Sequence, residues 1–175
     1  MTATRTPYLS SKLQGFGTTV FAEMSALAVA TGSINLGQGF PDTPGPPEVL
    51  DVARAAIGTT HDQYPPGPGQ PVLREAIAEH VQRFRGLDYD PADEVLVTAG
   101  ATEALTAALL ALLEPGDEVV LFEPMYDSYA AAVAMAGGVL RPVPLHPPAD
   151  LTGPWAFDVA DLRAAVTPRT STVAK

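Results

Sequence analysis

The segment 98–103 of this sequence reads Thr-Ala-Gly-Ala-Thr-Glu and links the apolar run 94–98 (EVLVT) to a helical pattern over 102–113. Backbone N–H groups at a helix N-terminus, reinforced by the helix dipole, make an anion site. Gly100 lets the backbone pass close to such an anion, and Thr102 adds a hydroxyl donor. An ordinary strand-to-helix turn capped by Thr102 fits the same residues, so spacing alone leaves both readings open. The turn matches neither the Walker phosphate loop nor the dinucleotide fingerprint, so a nucleoside phosphate is not specifically indicated.

A second loop, 123–129 (EPMYDSY), follows the apolar run 118–122. An aromatic placed there, such as Tyr126, can stack on a flat ligand, or Tyr126 and Tyr129 can simply pack against their own helical turn. In 35–42 (NLGQGFPD), Gly37 and Gly39 precede Pro41, which suits a backbone passing close to a neighbour and equally suits any tight loop. Tyr64 leads into the rigid PPGPG loop, a placement that says little by itself. His61, His80 and His146 show no metal-ligand spacing. No pair of carboxylates and no Ser/His/Asp order points to acid–base or nucleophilic work.

These loops need elements to position them. Helical spacing is present over 19–30, 47–57, 72–84, 102–113, 126–136 and 157–166, the last with Asp158 near its N-terminus. Val49, Leu50, Ala53 and Ile57 form one stripe, and Leu73, Ile77, Val81 and Phe84 another. Short β-type runs fall at 94–98, 118–122 and 139–143. Strands alternating with helices at this spacing predict an α/β fold with a parallel sheet. Right-handed crossovers then gather the loops after Thr98 and Phe122 on one sheet edge, where ligands of such folds sit.

Composition narrows the partners. The 175 residues carry a formal net charge of -10, and no Lys/Arg cluster offers a nucleic acid or an anionic membrane a surface. Apolar residues make up 46%, enough for a packed core. Cysteine is absent, which removes disulfides, thiolate catalysis and Cys-based metal sites. The stretch 105–113 has about half of the ~20 residues a membrane span needs, and the first residues lack a signal-peptide core, so a cytoplasmic protein is expected.

Taken in order, 35–42 (NLGQGFPD), 62–69 (DQYPPGPG), 95–105 (VLVTAGATEAL), 123–129 (EPMYDSY) and 166–170 (VTPRT) resemble the N-terminal part of the fold-type I, pyridoxal 5′-phosphate-dependent aminotransferases of class I/II. The nearest branches are the kynurenine/glutamine transaminase-like group and the actinobacterial N-succinyldiaminopimelate aminotransferases. The resemblance covers about 18–170. It implies an amino-group transfer from an amino acid to a 2-oxo acid, a cytoplasmic homodimer, and no nucleic-acid or membrane partner. By it, Gly100, Ala101 and Thr102 cradle the cofactor phosphate and Tyr126 stacks on the pyridine ring. Tyr64 reaches the neighbouring subunit's phosphate, and the backbone of Gly39 borders the substrate carboxylate.

The resemblance also implies groups that these residues do not supply: the asparagine and aspartate that hold the ring, the Schiff-base lysine, and the arginines for phosphate and substrate. Lys12 and Lys175 are the only lysines, and Lys175 is expected to be a tail residue rather than the Schiff-base lysine. No catalytic residue is therefore assigned. The expected fold is the first part of the large transferase domain, a mainly parallel sheet with helices on both faces, truncated. Residues 1–45 are expected to form an N-terminal arm and small-domain segment, and 46–175 the first half of the cofactor-binding domain. An enzyme by family but an inactive chain in isolation is the expectation, the alternative being a non-catalytic remnant or cofactor-binding fragment. An open sheet edge predicts poor solubility.

Overall fold

A computed structural model describes residues 8–39, 41–60, 63–150 and 152–174, with side chains through Thr172. Phe40, His61, Asp62 and Lys175, on which parts of the sequence reading fall, lie outside the described residues. Contacts divide the chain into two compact units, Thr18–Thr98 and the combination of Met1–Gly17 with Ala99–Lys175.

In the unit Thr18–Thr98 the helices are α1 (Val20–Thr31), α2 (Pro47–Ala56) and α3 (Pro71–Arg85). Each start has a local cause. The Thr19 hydroxyl accepts the Ala22 N–H at 3.2 Å, and Pro47 and Pro71 occupy first-turn positions where a missing N–H costs nothing. None of these helices contains a fully buried residue, and the expected stripes are only half covered. Leu50, Ile77 and Val81 are half-buried, while Val49, Ile57, Leu73 and Phe84 are exposed.

The other unit holds α4 (Ala101–Leu112), β1 (Glu118–Glu123), α5 (Asp127–Ala136), β2 (Val139–Pro144), α6 (Val159–Ala165) and β3 (Thr170–Ala174). The sheet has three strands in the order β2-β1-β3, and both pairs are parallel. Because β1 is central, Glu118, Val119, Val120 and Leu121 are all buried. Alternation sends Val119 and Leu121 into one core with Leu109 and Leu113 of α4 and the adjoining turn and with Ala132, Val133 and Ala136 of α5. Phe122 points to the other face, where its ring meets Phe157 at 4.8 Å. The chain crosses from β1 to β2 through α5 and back past β1 to β3 through α6. Right-handed crossovers in opposite directions place those helices on opposite faces of the sheet.

The outer edge of β2 is poor in free donors. Val139 and Leu145 donate their N–H groups to Asp117 and Glu123 carbonyls, each at 2.7 Å, so odd-numbered positions face β1. The outward positions 142 and 144 are prolines, which have no N–H to offer a further strand.

Three local expectations are corrected. The run 94–98 is not a strand among the described residues. Its Val97 N–H donates to the Pro68 carbonyl at 3.0 Å and its Glu94 N–H to Asp90 at 2.9 Å, and a strand exists only where a ladder partner lies beside it. The third strand is Thr170–Ala174 instead. Thr102 does not cap its helix: Gly100 is the cap, and Thr102 is the second helical residue. The last helix is also shorter than expected, since Ala156 bridges His146 and Phe157 leaves for Phe122 before Asp158 caps the Ala160 N–H at 2.7 Å.

Candidate functional site

The C-terminal end of β1 and the N-terminus of α4 meet on the side of the sheet where the topology predicts a ligand. Gly100 begins the site. Its φ of 87° and ψ of 173° lie in a region essentially reserved for glycine, and a Cβ there would meet nothing within 4 Å. Glycine is therefore required by the turn itself, not by crowding, and the space beside it is open. The first intrahelical bond is the Ala104 N–H to the Gly100 carbonyl at 3.3 Å. The N–H groups of Ala101, Thr102 and Glu103 precede it and have no acceptor within the helix. The Glu103 carboxylate folds back to accept the Ala99 N–H, which pins the entry to the helix.

Ala101, Thr102, Ala104 and Leu105 line a cavity of about 580 Å³ together with Tyr126 and Tyr129. Tyr126 is the N-cap residue of α5 and is 49% exposed. The helix start therefore presents donors, and an aromatic ring stands on the same cavity. No basic side chain lines it among the described residues.

Gly39 and Tyr64 belong to the other unit. Asn35 organises the loop before Gly39: its amide donates to Ser25 Oγ at 3.0 Å and its Oδ1 accepts the Gly37 N–H at 3.0 Å. Gly39 is exposed, and Tyr64 is 98% exposed at the rigid loop. In the same unit Gly69 has a φ of 102°, and a Cβ on it would sit 2.5 Å from Val97 Cγ2. Lys12 donates to the Met135 carbonyl at 3.0 Å, at the C-terminal end of α5. At 1.5 Å per residue, that end lies about 14 Å along the helix from Tyr126.

Sequence reasoning missed a buried charge cluster. Glu118 is fully buried and accepts from Arg141 Nη2 at 2.6 Å, from Thr167 Oγ1 at 2.7 Å, and from the Arg169 guanidinium. The Arg141 and Thr167 hydrogen bonds outweigh burial and hold the carboxyl down at about 2. Its sequence signal was a single acid directly before the apolar run VVLF. Glu118 opens β1, roughly 17 Å from the strand's other end, so it fastens β1 to β2 and to the lead-in of β3 and takes no part in the cavity.

Residues 31–174 match the model of the family described as aminotransferase class I and II. This chain belongs to that family. Family members similar to it include the probable N-succinyldiaminopimelate aminotransferase of Mycobacterium tuberculosis, 59% identical over 91% of this chain and 40% of the relative. The methionine aminotransferase of Escherichia coli is 48% identical over 79% of this chain and 36% of the relative. Among solved structures, the M. tuberculosis N-succinyldiaminopimelate aminotransferase superposes with a TM-score of 0.86 at 56% identity, covering 94% of this chain and 42% of that one. The chain thus spans about two-fifths of the length of the aminotransferases it matches.

The aminotransferases of this family are pyridoxal 5′-phosphate enzymes of fold type I, and the α/β sheet is part of that domain. The donor set at Gly100 tests whether these residues fit the cofactor. Successive N–H groups at a helix start and a threonine hydroxyl suit a phosphate ester, and an aromatic face across the same cavity suits a pyridine ring. They fit.

Proposed function

We propose that Gly100, Ala101 and Thr102 hold the phosphate of pyridoxal 5′-phosphate and that Tyr126 lies against its ring. The observation that carries this reading is the cavity shared by Ala101, Thr102 and Tyr126 directly after the Gly100 turn. When bound, the cofactor supplies the aldehyde that takes up an amino group and the ring that withdraws electrons. The residues of this chain bind and orient it: backbone N–H groups fix the phosphate, and Tyr126 restricts the tilt of the ring. In the assembled enzyme, Tyr64 reaches the phosphate of a second subunit and Gly39 borders the substrate carboxylate. Both roles come from the family resemblance, and the exposure of Tyr64 leaves it available to a partner.

The proposed activity is amino-group transfer between an amino acid and a 2-oxo acid by a cytoplasmic homodimer. Within it, 1–45 serve as arm and small-domain segment and 46–175 as the first half of the large domain. Among the described residues no helix is long and apolar enough to cross a membrane. Within that enzyme, residues 1–175 are proposed to supply the cofactor-phosphate part of the site. Lys12 is engaged at the far end of α5, which supports the view that it does not reach the cofactor.

Competition with inorganic phosphate tests the cradle. Binding of pyridoxine 5′-phosphate, which has the ring and phosphate but no aldehyde, should be displaced by phosphate. Gly100→Ala should weaken both anions at least fivefold, since each net hydrogen bond to a charged group contributes about 1.5–3 kcal/mol. Unchanged affinity in Gly100→Ala would remove the cradle from this region.

A further inference from the structure

Tyr126 and Tyr129 are three residues apart at the start of α5, which puts them on one face of the helix. Their rings meet edge to face, with centroids 5.8 Å apart and planes at 66°. The two side chains are anchored differently. Tyr126 stands half out in solvent, whereas Tyr129 is partly buried and packs against the core cluster of α4, β1 and α5. Behind the pair lies a smaller apolar pocket of about 160 Å³ lined by Phe122, Met125 and Leu145. Tyr126 and Tyr129 line both this pocket and the cavity at the Gly100 turn, so they form the wall between the two.

We propose that Tyr129 is the positioning residue for the Tyr126 ring, fixing the plane on which a flat cofactor ring lies. This rests on the reading of Tyr126 as the stacking residue. Tyr129 itself touches no ligand in this scheme. It braces the Tyr126 ring against the core through their edge-to-face contact, and so lowers the ordering cost of binding.

The test uses the 175-residue chain with pyridoxine 5′-phosphate and inorganic phosphate as probes, and the circular dichroism induced in the pyridoxine ring. Tyr129→Leu should weaken pyridoxine 5′-phosphate by about three- to tenfold, the range for one aromatic pair. It should shrink the induced dichroism and leave inorganic phosphate unaffected, because phosphate meets only the cradle. Tyr129→Phe should restore both signals. In a double-mutant cycle with Tyr126→Leu, the two losses should not add. Wild-type affinity and dichroism in Tyr129→Leu, or strictly additive losses, would overturn the proposal while leaving the stacking role of Tyr126 intact. An unaffected Tyr126→Leu variant would instead sink the stacking reading and this proposal with it. If Tyr129→Leu does not fold, Tyr129→Met fills the core without a ring edge and carries the same expectations.

Discussion

The two units of this chain differ in how far they bury their apolar residues. Between Ala99 and Ala174, a strand buried on both faces and helices on opposite sides of it give Val119, Val120, Leu121, Ala132, Val133 and Val143 nearly complete burial. Between Thr18 and Thr98, three regular helices form, yet only Gly69 is buried among the described residues. Val20, Leu27, Ile34, Leu36, Val52 and Val72 all remain exposed. Helices therefore arise from local signals in both units, whereas a core arises only where a central strand has neighbours on both sides. The proposed cradle stands on the first kind of ground: Gly100 and Tyr126 are carried by elements that share the buried cluster.

The largest expected difference comes from truncating one leucine in each unit. Leu121→Ala should cost about 2–5 kcal/mol in urea unfolding, as for other buried leucines. Leu73→Ala, at a position 45% exposed, should change stability by less than about 0.5 kcal/mol. Equal losses would show that the two units share one cooperative core.

Glycine substitutions come next. Gly100→Ala forces a side chain into a glycine-only conformation and should cost about 1–3 kcal/mol in the folded unit, besides its effect on binding. Gly69→Ala meets Val97 as well as a positive φ, but it lies where little is buried. It should free the 94–98 run locally, seen as faster amide exchange at Val97, with the exchange of β1 unchanged.

The smallest effect at ordinary pH is the acid limb. The Glu118 carboxyl is held at about 2 in the folded state, below its ordinary value of 4.5. Its contribution to stability is therefore complete above about pH 4.5 and is lost as the pH falls from there through about 2. Thermal unfolding of the wild-type sheet should show this slope, and Glu118→Gln should flatten it. An identical slope in both would assign the acid sensitivity to other carboxylates.

Much of this was legible in the sequence for physical reasons. The Gly100 turn, the helix start at Pro47 and strands β1 and β2 depend on local chemistry that spacing records, whereas helices read from 72 and 157 begin at Pro71 and, after the Asp158 cap, at Val159. What was not legible depends on distant partners. The run 94–98 has strand-forming residues, but pairing needs a neighbour that periodicity cannot supply, and its Val97 turns to Pro68 instead. Thr102 has the right side chain for a cap, but a glycine two residues earlier takes the position because only it accepts the required backbone angles. Glu118 read as one more scattered acid because its arginines come from 23 and 51 residues further along the chain.

The proposed cradle, and the proposal that it holds the cofactor without a covalent anchor, are tested most directly by comparing the affinities of pyridoxal 5′-phosphate and pyridoxine 5′-phosphate for the 175-residue chain. The two ligands differ only at the carbon that an active-site lysine would capture. If Gly100, Ala101, Thr102 and Tyr126 hold the cofactor without such a lysine, both bind saturably and within about twofold of each other, since no imine adds to one of them. A preference for the aldehyde of about a hundredfold or more would place a Schiff-base lysine within these residues, and failure of both to saturate would remove the cradle.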